Sequence, residues 1–492
     1  ATGLKRFALA RDAERQHHEL AAEDLRIATQ GPWSEQDRRE REATGRPCIT
    51  VNMAPQFIRT VTGQIRSQNP AIRVMAADGE ARKETAEIIE GLIRQIEYQS
   101  DATSVYEAGA ESAAACSMGY WRIRTEYCDD MSFDQEIKIE RVHNAFSVFI
   151  DPRAKDTTRK DAEWAFVIEE VAKEDFKAEH PDIAMADFTS AHKDANWSAW
   201  VTDRDSVVVA EYFWKEYIEE VIARTPAGQV IKGPFPAGMK LQKRTVRKAK
   251  VMWCKMTATE IIEGPIEFPS RYIPIVAVTG EEWHLGEETY RSGVIRHAID
   301  SMKLYSFARS EHAQVLQQQS KAPYIGAAEQ FEGYEDYWAE AATGNRPYMP
   351  YKHVEGLVAP QRQQPPVASS GLMAEMQMAG EDIKRTTGIY DAGLGAKSNE
   401  TSGVAIAQRK EESQNSTSIY ADNMSKAVAH TGRILVDMIP RIYDTQRTVR
   451  ILGEDGKEKM AVINGLLVRQ DGEFPRADQR RAKLQHETAG KR

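Results

Sequence analysis

The sequence predicts an α+β protein built from several packed units. Three observations point there. From 120 to 142 and from 205 to 280, apolar and polar residues alternate with the two-residue period of strands. Near 287 the pattern changes abruptly to the three-to-four-residue spacing of helices. The 492 residues exceed one ordinary domain, and with 41% hydrophobic residues they can fill ordered cores.

Each element follows from its local pattern. Residues 4–29 are charged and alanine-rich, which predicts an exposed helix ended by "GPW" at 31–33. Residues 52–68 and 81–118 read as helices; in the second, Ile88, Leu92, Ile96 and Tyr106 fall near one face. "YWRIRTEYCDD" and "FDQEIKIERV" alternate as the two strands of a hairpin. A short helix is expected at 173–180, stopped by Pro181. "SVVVAEYFWKEYIEEVIA" and "KVMWCKMTATEIIEG" are β-branched and aromatic, hence strands.

Residues 287–320 contain no proline. Ile295, Ile299, Met302, Tyr305, Ala308, His312 and Val315 form an apolar stripe, with Arg296, Lys303, Ser310, Gln314 and Gln317 opposite. This predicts one helix of about 30 residues, or ~45 Å. Residues 321–367 are rich in Pro, Gly and Tyr and read as a small insert with its own strands, closed by the extended strip "PQRQQPPV". A second helix, 368–387, runs back and stops at Gly388, and a loop follows at 388–402. Ser402 is placed to cap a long helix over 403–445, whose second half carries Val428, Leu435, Met438, Ile439 and Ile442. Pro440 should kink or end it. "RTVRILGEDGKEKMAVI" reads as a hairpin turning at Asp455-Gly456, and the tail from about 470 is charged.

Charge narrows the function. Lys plus Arg number 65 and Asp plus Glu 74, a net charge of -9, with only short basic runs such as Lys243, Arg244, Arg247, Lys248 and Lys250. A protein that grips duplex DNA tightly carries far more cation, so any contact with DNA is expected to be local or weak. Cys48, Cys116, Cys128 and Cys254 form no CxxC pair, which excludes a zinc knuckle and favours a reducing compartment over a disulfide framework. No apolar run is long enough to cross a membrane, and the first twenty residues lack the apolar core of a signal peptide. No membrane partner is expected.

Catalytic patterns are weak throughout. "GIYDAGLGAKS" at 388–398 resembles a phosphate-gripping loop, but Leu394 stands where the lysine belongs and the preceding segment is helical. A mobile hinge suits its Gly, Asn, Ser and Thr content better. "YCDD" at 127–130 resembles a metal-holding polymerase hairpin, yet no partner Asp is apparent, and an acidic turn is the simpler reading. Glu281, Glu282, His284, Glu287 and Glu288 lack an HExxH pattern and read as a solvated helix start. No GxSxG is present. The aromatics of 321–351 lie among few cations, which favours packing over a stacking platform for nucleic acid. No catalytic residue, metal ligand or cofactor-binding residue is predicted.

Two regions resemble a known family. "GRPCITVNMAPQFIRTVTGQIRSQNPAIRV", "AEIIEGLIRQIEYQSDATSVYEAGAESAAACSMGYWRI" and "SFDQEIKIERVHNAFSVFIDPRAK" are similar to the N-terminal body of portal proteins of short-tailed, podovirus-type bacteriophages. "TTGIYDAGLGAKSNETSGVAI" and "DNMSKAVAHTGRILVDMIPRIYDTQRTVRILGEDG" are similar to the same family's channel helix and crown entry. The resemblance covers about 45–465. The tail "PRADQRRAKLQHETAGKR" departs from the family pattern, so a tall internal barrel is not expected.

The resemblance implies a closed ring, usually of twelve subunits, at the portal vertex of the capsid, assembled in the host bacterial cytoplasm and retained in the virion. Double-stranded DNA would pass its channel in packaging and ejection, touched transiently and without sequence preference. Terminase large subunit, head-tail adaptor, major capsid protein and scaffold would be its partners, and no enzymatic activity is implied. On this sequence 1–45 would be a peripheral helix, 46–286 an outer α/β wing, and 287–320 with 368–387 the antiparallel stem helices. Residues 321–367 would be a small α/β clip, 388–402 the channel loop, 403–445 the helix leading into a helical crown, and 446–492 a hairpin and charged tail. Lys384, Arg385, Lys397, Arg409 and Lys410 would be the cations nearest the DNA. Tyr334, Tyr337 and Trp338 would meet a neighbouring subunit or the adaptor. Two other readings remain open on the sequence: a metal-dependent nucleic-acid enzyme using Asp129 and Asp130, and a different head-tail component.

Overall fold

The computed structural model describes residues 2–68, 70–75, 83–181, 206–224, 230–232, 241–257, 260–286, 288–320, 322–341, 344, 347–364, 370–390, 417–444, 447–452 and 458–463. Three helices open the chain: α1 (Thr2–Gln30), α2 (Glu35–Ala43) and α3 (Ala54–Gln68). Ser34 caps α2 by accepting the Asp37 N–H. α4 (Lys83–Gln99) and α5 (Ala102–Cys116) follow, where one helix was expected. Asp101 breaks the run by adopting the left-handed conformation, φ 46°.

Next come β1 (Met118–Tyr127), β2 (Gln135–Arg141), β3 (Val148–Ile150), β4 (Trp164–Ala172), α6 (Lys173–Glu179), β5 (Ser206–Arg224), β6 (Val230–Lys232), β7 (Gln242–Met256), β8 (Ile261–Phe268) and β9 (Ile275–Thr279). A hairpin of β10 (Glu281–Leu285) and β11 (Glu288–Ser292) precedes α7 (Ile299–Ser320). The remainder is β12 (Tyr324–Ile325), α8 (Ala328–Phe331), α9 (Glu335–Ala339), β13 (Gln361–Arg362), α10 (Ser370–Thr387), α11 (Ser418–Ile442), β14 (Arg447–Leu452) and β15 (Glu458–Ile463). The expected helix from 287 therefore begins only at Ile299. Gly286, at φ 65°, turns the chain, and Glu288–Ser292 pairs back onto β10. Pro440 sits in the last turn of α11, which ends two residues later. β14 and β15 pair antiparallel as expected, with their turn outside the described residues.

The chain forms two units. The first comprises 1–22, 61–293 and 418–492. Its larger sheet is antiparallel with strand order β3-β4-β5-β7-β8, and β6 adds to β5. Phe7 of α1 inserts against it, 5.0 Å from the Phe149 ring and 5.6 Å from Phe166. The N-terminal helix is therefore not the exposed one expected. Phe7, Ala10, His17, His18 and Ala21 are all buried.

The smaller sheet has order β2-β1-β9. α5 lies on β1 through glycine: a Cβ on Gly119 would stand 2.0 Å from the Gly109 carbonyl oxygen. α11 is fastened to the same sheet by polar bonds within an apolar core. Trp121 Nε1 donates to Thr431 Oγ1 at 2.9 Å, and Asn423 Nδ2 donates to the carbonyls of Thr279 and Gly280. Val428, Leu435, Met438 and Ile439 are buried, as their spacing predicted, whereas Ile442 is only half-buried.

Buried ion pairs complete the first unit. Arg159 Nη2 donates to both oxygens of Glu282 at 2.9 Å, with both side chains almost fully enclosed. Arg291 Nη1 lies 2.8 Å from Glu14. Burial alone would raise the pKa of Glu14, but Arg291 and the neighbouring histidines outweigh it and hold it at about 2. Burial lowers His17 to about 3 and His18 to about 4, so both rings are neutral near pH 7. None of the four cysteines forms a disulfide.

Candidate functional site

The second unit, 23–60 with 294–417, holds the helical pair on which the functional expectation rests. α7 and α10 run in opposite directions. A Cβ on Gly380 would lie 3.7 Å from the Tyr305 ring, while Arg309, one turn further along α7, reaches Met376, one turn earlier on α10. The pairing of β12 with β13 joins the two helices at the far end, Tyr324 opposite Arg362.

The buried side of α7 comprises Ile299, Met302, Ser306, Ala308 and Ser310, preceded by Ile295 and Ala298. Ser310 is thus fully buried, not on the exposed face. Its hydroxyl donates to the Ser306 carbonyl at 2.8 Å, and its oxygen accepts the Ile49 N–H at 2.9 Å. A serine that bonds its own preceding turn carries little desolvation penalty, which lets it pack like alanine. Arg41 is also enclosed: its guanidinium lies 5.1 Å from the Trp33 ring and 5.6 Å from Phe307, with Glu311 at 2.7 Å. At the start of α7, Arg296 pairs with Asp24 and Glu23, and Lys303 with Glu23.

Several large apolar side chains of the pair are nevertheless partly exposed, interspersed with Lys303, Arg309 and Gln377. Leu304 (41% exposed), Phe307 (46%) and Leu316 (51%) project from α7, and Met373 (48%) and Met378 (60%) from α10. Sequence reasoning missed these residues because it assigned α7 one stripe. Leu304 and Phe307, three apart, are the signal of a second one.

The insert between the helices is a compact aromatic unit. Trp338 lies edge-on to Tyr324 at 5.1 Å and to Phe331 at 4.9 Å, and its Nε1 donates to the Pro350 carbonyl. Trp338 is therefore a packing centre of the insert, whereas Tyr334 and Tyr337 are 37% exposed. The expected strands reduce to the two-residue pair β12 and β13 beside the short helices α8 and α9.

Of the five expected DNA-proximal cations, Lys384 and Arg385 occupy the last turn of α10, where the helix dipole favours positive charge. Lys384 pairs with Glu381 at 3.2 Å, and Arg385 lies 3.9 Å from Asp382, so this surface is nearly neutral. Gly388 ends the helix at φ 67°. Lys397, Arg409, Lys410 and most of the 388–402 loop lie outside the described residues.

The remaining sequence candidates resolve locally. Asp129 and Asp130 sit exposed at the β1–β2 turn, where the Ser132 N–H donates to the Asp129 carbonyl. Among the described residues no group of three His, Cys, Asp or Glu is arranged to hold a metal. Glu281, Glu282, His284 and Glu288 belong to the β10–β11 hairpin, not to a helix start, and Glu282 is the buried partner of Arg159. Glu287 lies outside the described residues. The basic run on β7 faces acids on β5: Lys250 is opposite Glu216, and Arg247 opposite Glu219. No described helix is long and apolar enough to cross a membrane.

The sequence profile of the phage P22-like portal protein family matches residues 4–488. A portal protein of Acyrthosiphon pisum secondary endosymbiont phage 1 is 23% identical over 448 residues, covering 85% of this chain. The chain spans 61% of the length of that relative.

Proposed function

The chain belongs to the phage P22-like portal protein family, and from that premise we propose that it is one subunit of a closed ring at the capsid portal vertex. The ring would surround a channel for double-stranded DNA during packaging and ejection. The observation that carries this reading is the helical pair. α7 and α10 leave Leu304, Phe307, Leu316, Met373 and Met378 about half exposed on a single chain. Fully burying such a side chain stabilises by about 1.5–3 kcal/mol, so covering the exposed half of each gives roughly half of that, and neighbouring copies have a reason to do so. In a closed ring the same face recurs on every subunit and none is left open.

The channel reading also suits the charge. With a net charge of -9 and local pairing of Lys384 and Arg385, the protein offers few deep wells for phosphate. DNA in contact with such a wall is held weakly and can slide. In this reading α7 and α10 form the stem, 321–367 the clip, and 403–445 the helix entering the crown. Lys384, Arg385, Lys397, Arg409 and Lys410 supply the few cations along the DNA path. Tyr334 and Tyr337 meet a neighbouring subunit or the head-tail adaptor, and Trp338 holds the insert that presents them. Twelve subunits is the expected number, with capsid protein and scaffold contacting the outer wing.

Electron micrographs of the purified chain, viewed down the particle axis, test the reading. Closed rings with an opening wide enough for a double helix are expected, with a matching native mass. A strict monomer at every concentration and ionic strength would overturn it.

A further inference from the structure

A recess of about 450 Å³ opens between the 155–160 loop and the exposed face of α11. Lys155 and Lys160 line it from the loop, Lys426 and Arg433 from the helix. The helical pair is seven residues apart, two turns, and so shares one face. Ala429 lies between them and keeps the floor low.

The two acids of the loop are engaged within it, and only one of the four cations is paired with them. Asp161 accepts the backbone N–H groups of Lys155 and Asp156 at 2.7 and 3.2 Å. Asp156 accepts the Thr158 N–H and hydroxyl and pairs with Lys160 at 2.6 Å. Among the described residues Lys155, Lys426 and Arg433 make no ion pair, and the one contact of Lys426 Nζ is Asn423 Oδ1 at 3.5 Å. The recess therefore has four cations against one carboxylate, on a chain that is acidic overall. His430, buried on the same helix, reports the local field: burial first, then Arg433, lowers its pKa to about 4.

We propose that this recess binds a phosphate group. Four cations line the recess against Asp156, with Asp161 beside it, and this excess of positive charge suits a phosphate oxyanion better than a lone carboxylate. Ala429 is the sole apolar side chain of the lining, so nothing there would hold a peptide segment. The phosphate has two possible sources, a DNA backbone or free inorganic phosphate. The inference stands on the recess alone and is independent of the channel reading.

The test uses the full chain with two probes. Inorganic phosphate is titrated by calorimetry, and a short DNA duplex by fluorescence anisotropy across a salt series. The variants are Lys426→Gln/Arg433→Gln, both exposed and remote from the core, and a control pair on β7, Lys243→Gln/Arg244→Gln. Loss of phosphate binding by at least tenfold in the first pair, with the control unchanged, supports the site. If DNA is the source, duplex affinity falls as well and the log–log salt slope shrinks by about 2, one for each cation removed. If the source is free phosphate, duplex binding is unchanged. Unaltered binding of both probes, or an equal loss in the control pair, overturns the proposal. So does binding of a polyglutamate peptide at this site with neither phosphate probe bound.

Discussion

At the scale of single residues, the first unit is held by charges placed where apolar side chains are usual. Glu282 is enclosed with Arg159, whose backbone adopts φ 57° to bring the guanidinium there. Removing one partner strands the other in a low-dielectric interior. Glu282→Ala is expected to destabilise the chain by about 3–5 kcal/mol, read from denaturant unfolding. A change below 1 kcal/mol would show that water reaches Arg159. The histidines of α1 give a pH signature. His17 and His18 have folded pKa values of about 3 and about 4, below the 6.5 of the unfolded chain, and they face Glu14, Arg291 and Arg159. The unfolded state then takes up protons first. Stability is full above pH 6.5 and falls as pH drops toward 4, by on the order of 3 kcal/mol for His18. Glu14, depressed from 4.5 to about 2, extends the loss below pH 4.5. Unfolding measured from pH 7 to 4 should show this slope, and His18→Gln should flatten it.

At the scale of elements, close backbone approach decides which segments can pack. α5 reaches β1 because Gly109 and Gly119 face each other without side chains. Gly119→Ala would force its Cβ to within 2.0 Å of a backbone oxygen that cannot step aside. The helix must lift from the sheet, at a cost of roughly 1–3 kcal/mol or more, measured as a lowered unfolding midpoint. Such contacts also explain what was legible in the sequence. Strands β1, β2, β5 and β7 and the buried face of α11 carry their period in apolar residues, so pattern alone locates them. The stripe of α7 was legible in Ile295, Ile299, Met302 and Ala308, whereas the buried polar residues of α1 and α7 were illegible for one reason. They include Glu14, made compatible with a core by Arg291 far away in sequence, and Ser310, bonded one turn back, with His17, His18 and Ser306 also buried. The start of α7 was misplaced because Thr289 and Tyr290 fit a helix pattern until β10 claims them as a strand. In the candidate site the helix-insert-helix order could be read directly, whereas the half-exposed apolar side chains could not, because they fall off the stripe that fills the core.

At the scale of the whole molecule, that uncovered side decides whether the chain acts alone. Leu304 and Leu316 lie on α7 with 41% and 51% of their surface in water. Leu304→Asp/Leu316→Asp should therefore leave the fold of a single chain within about 0.5 kcal/mol of the parent, as exposed substitutions do. In a ring the same two carboxylates recur at every subunit boundary, each desolvated without a partner. Burying an unpaired charge costs several kcal/mol, and one ring multiplies that cost by the number of its interfaces. The expected outcome is a well-folded monomer by native mass, with an unchanged unfolding midpoint and no rings in micrographs. Rings that form at the parent's concentration would mean that α7 faces the channel or solvent with this side and that subunits meet elsewhere. Misfolded chains would mean that the two leucines serve the protomer's own core. Only the first result ties the apolar side of the helical pair to the assembly.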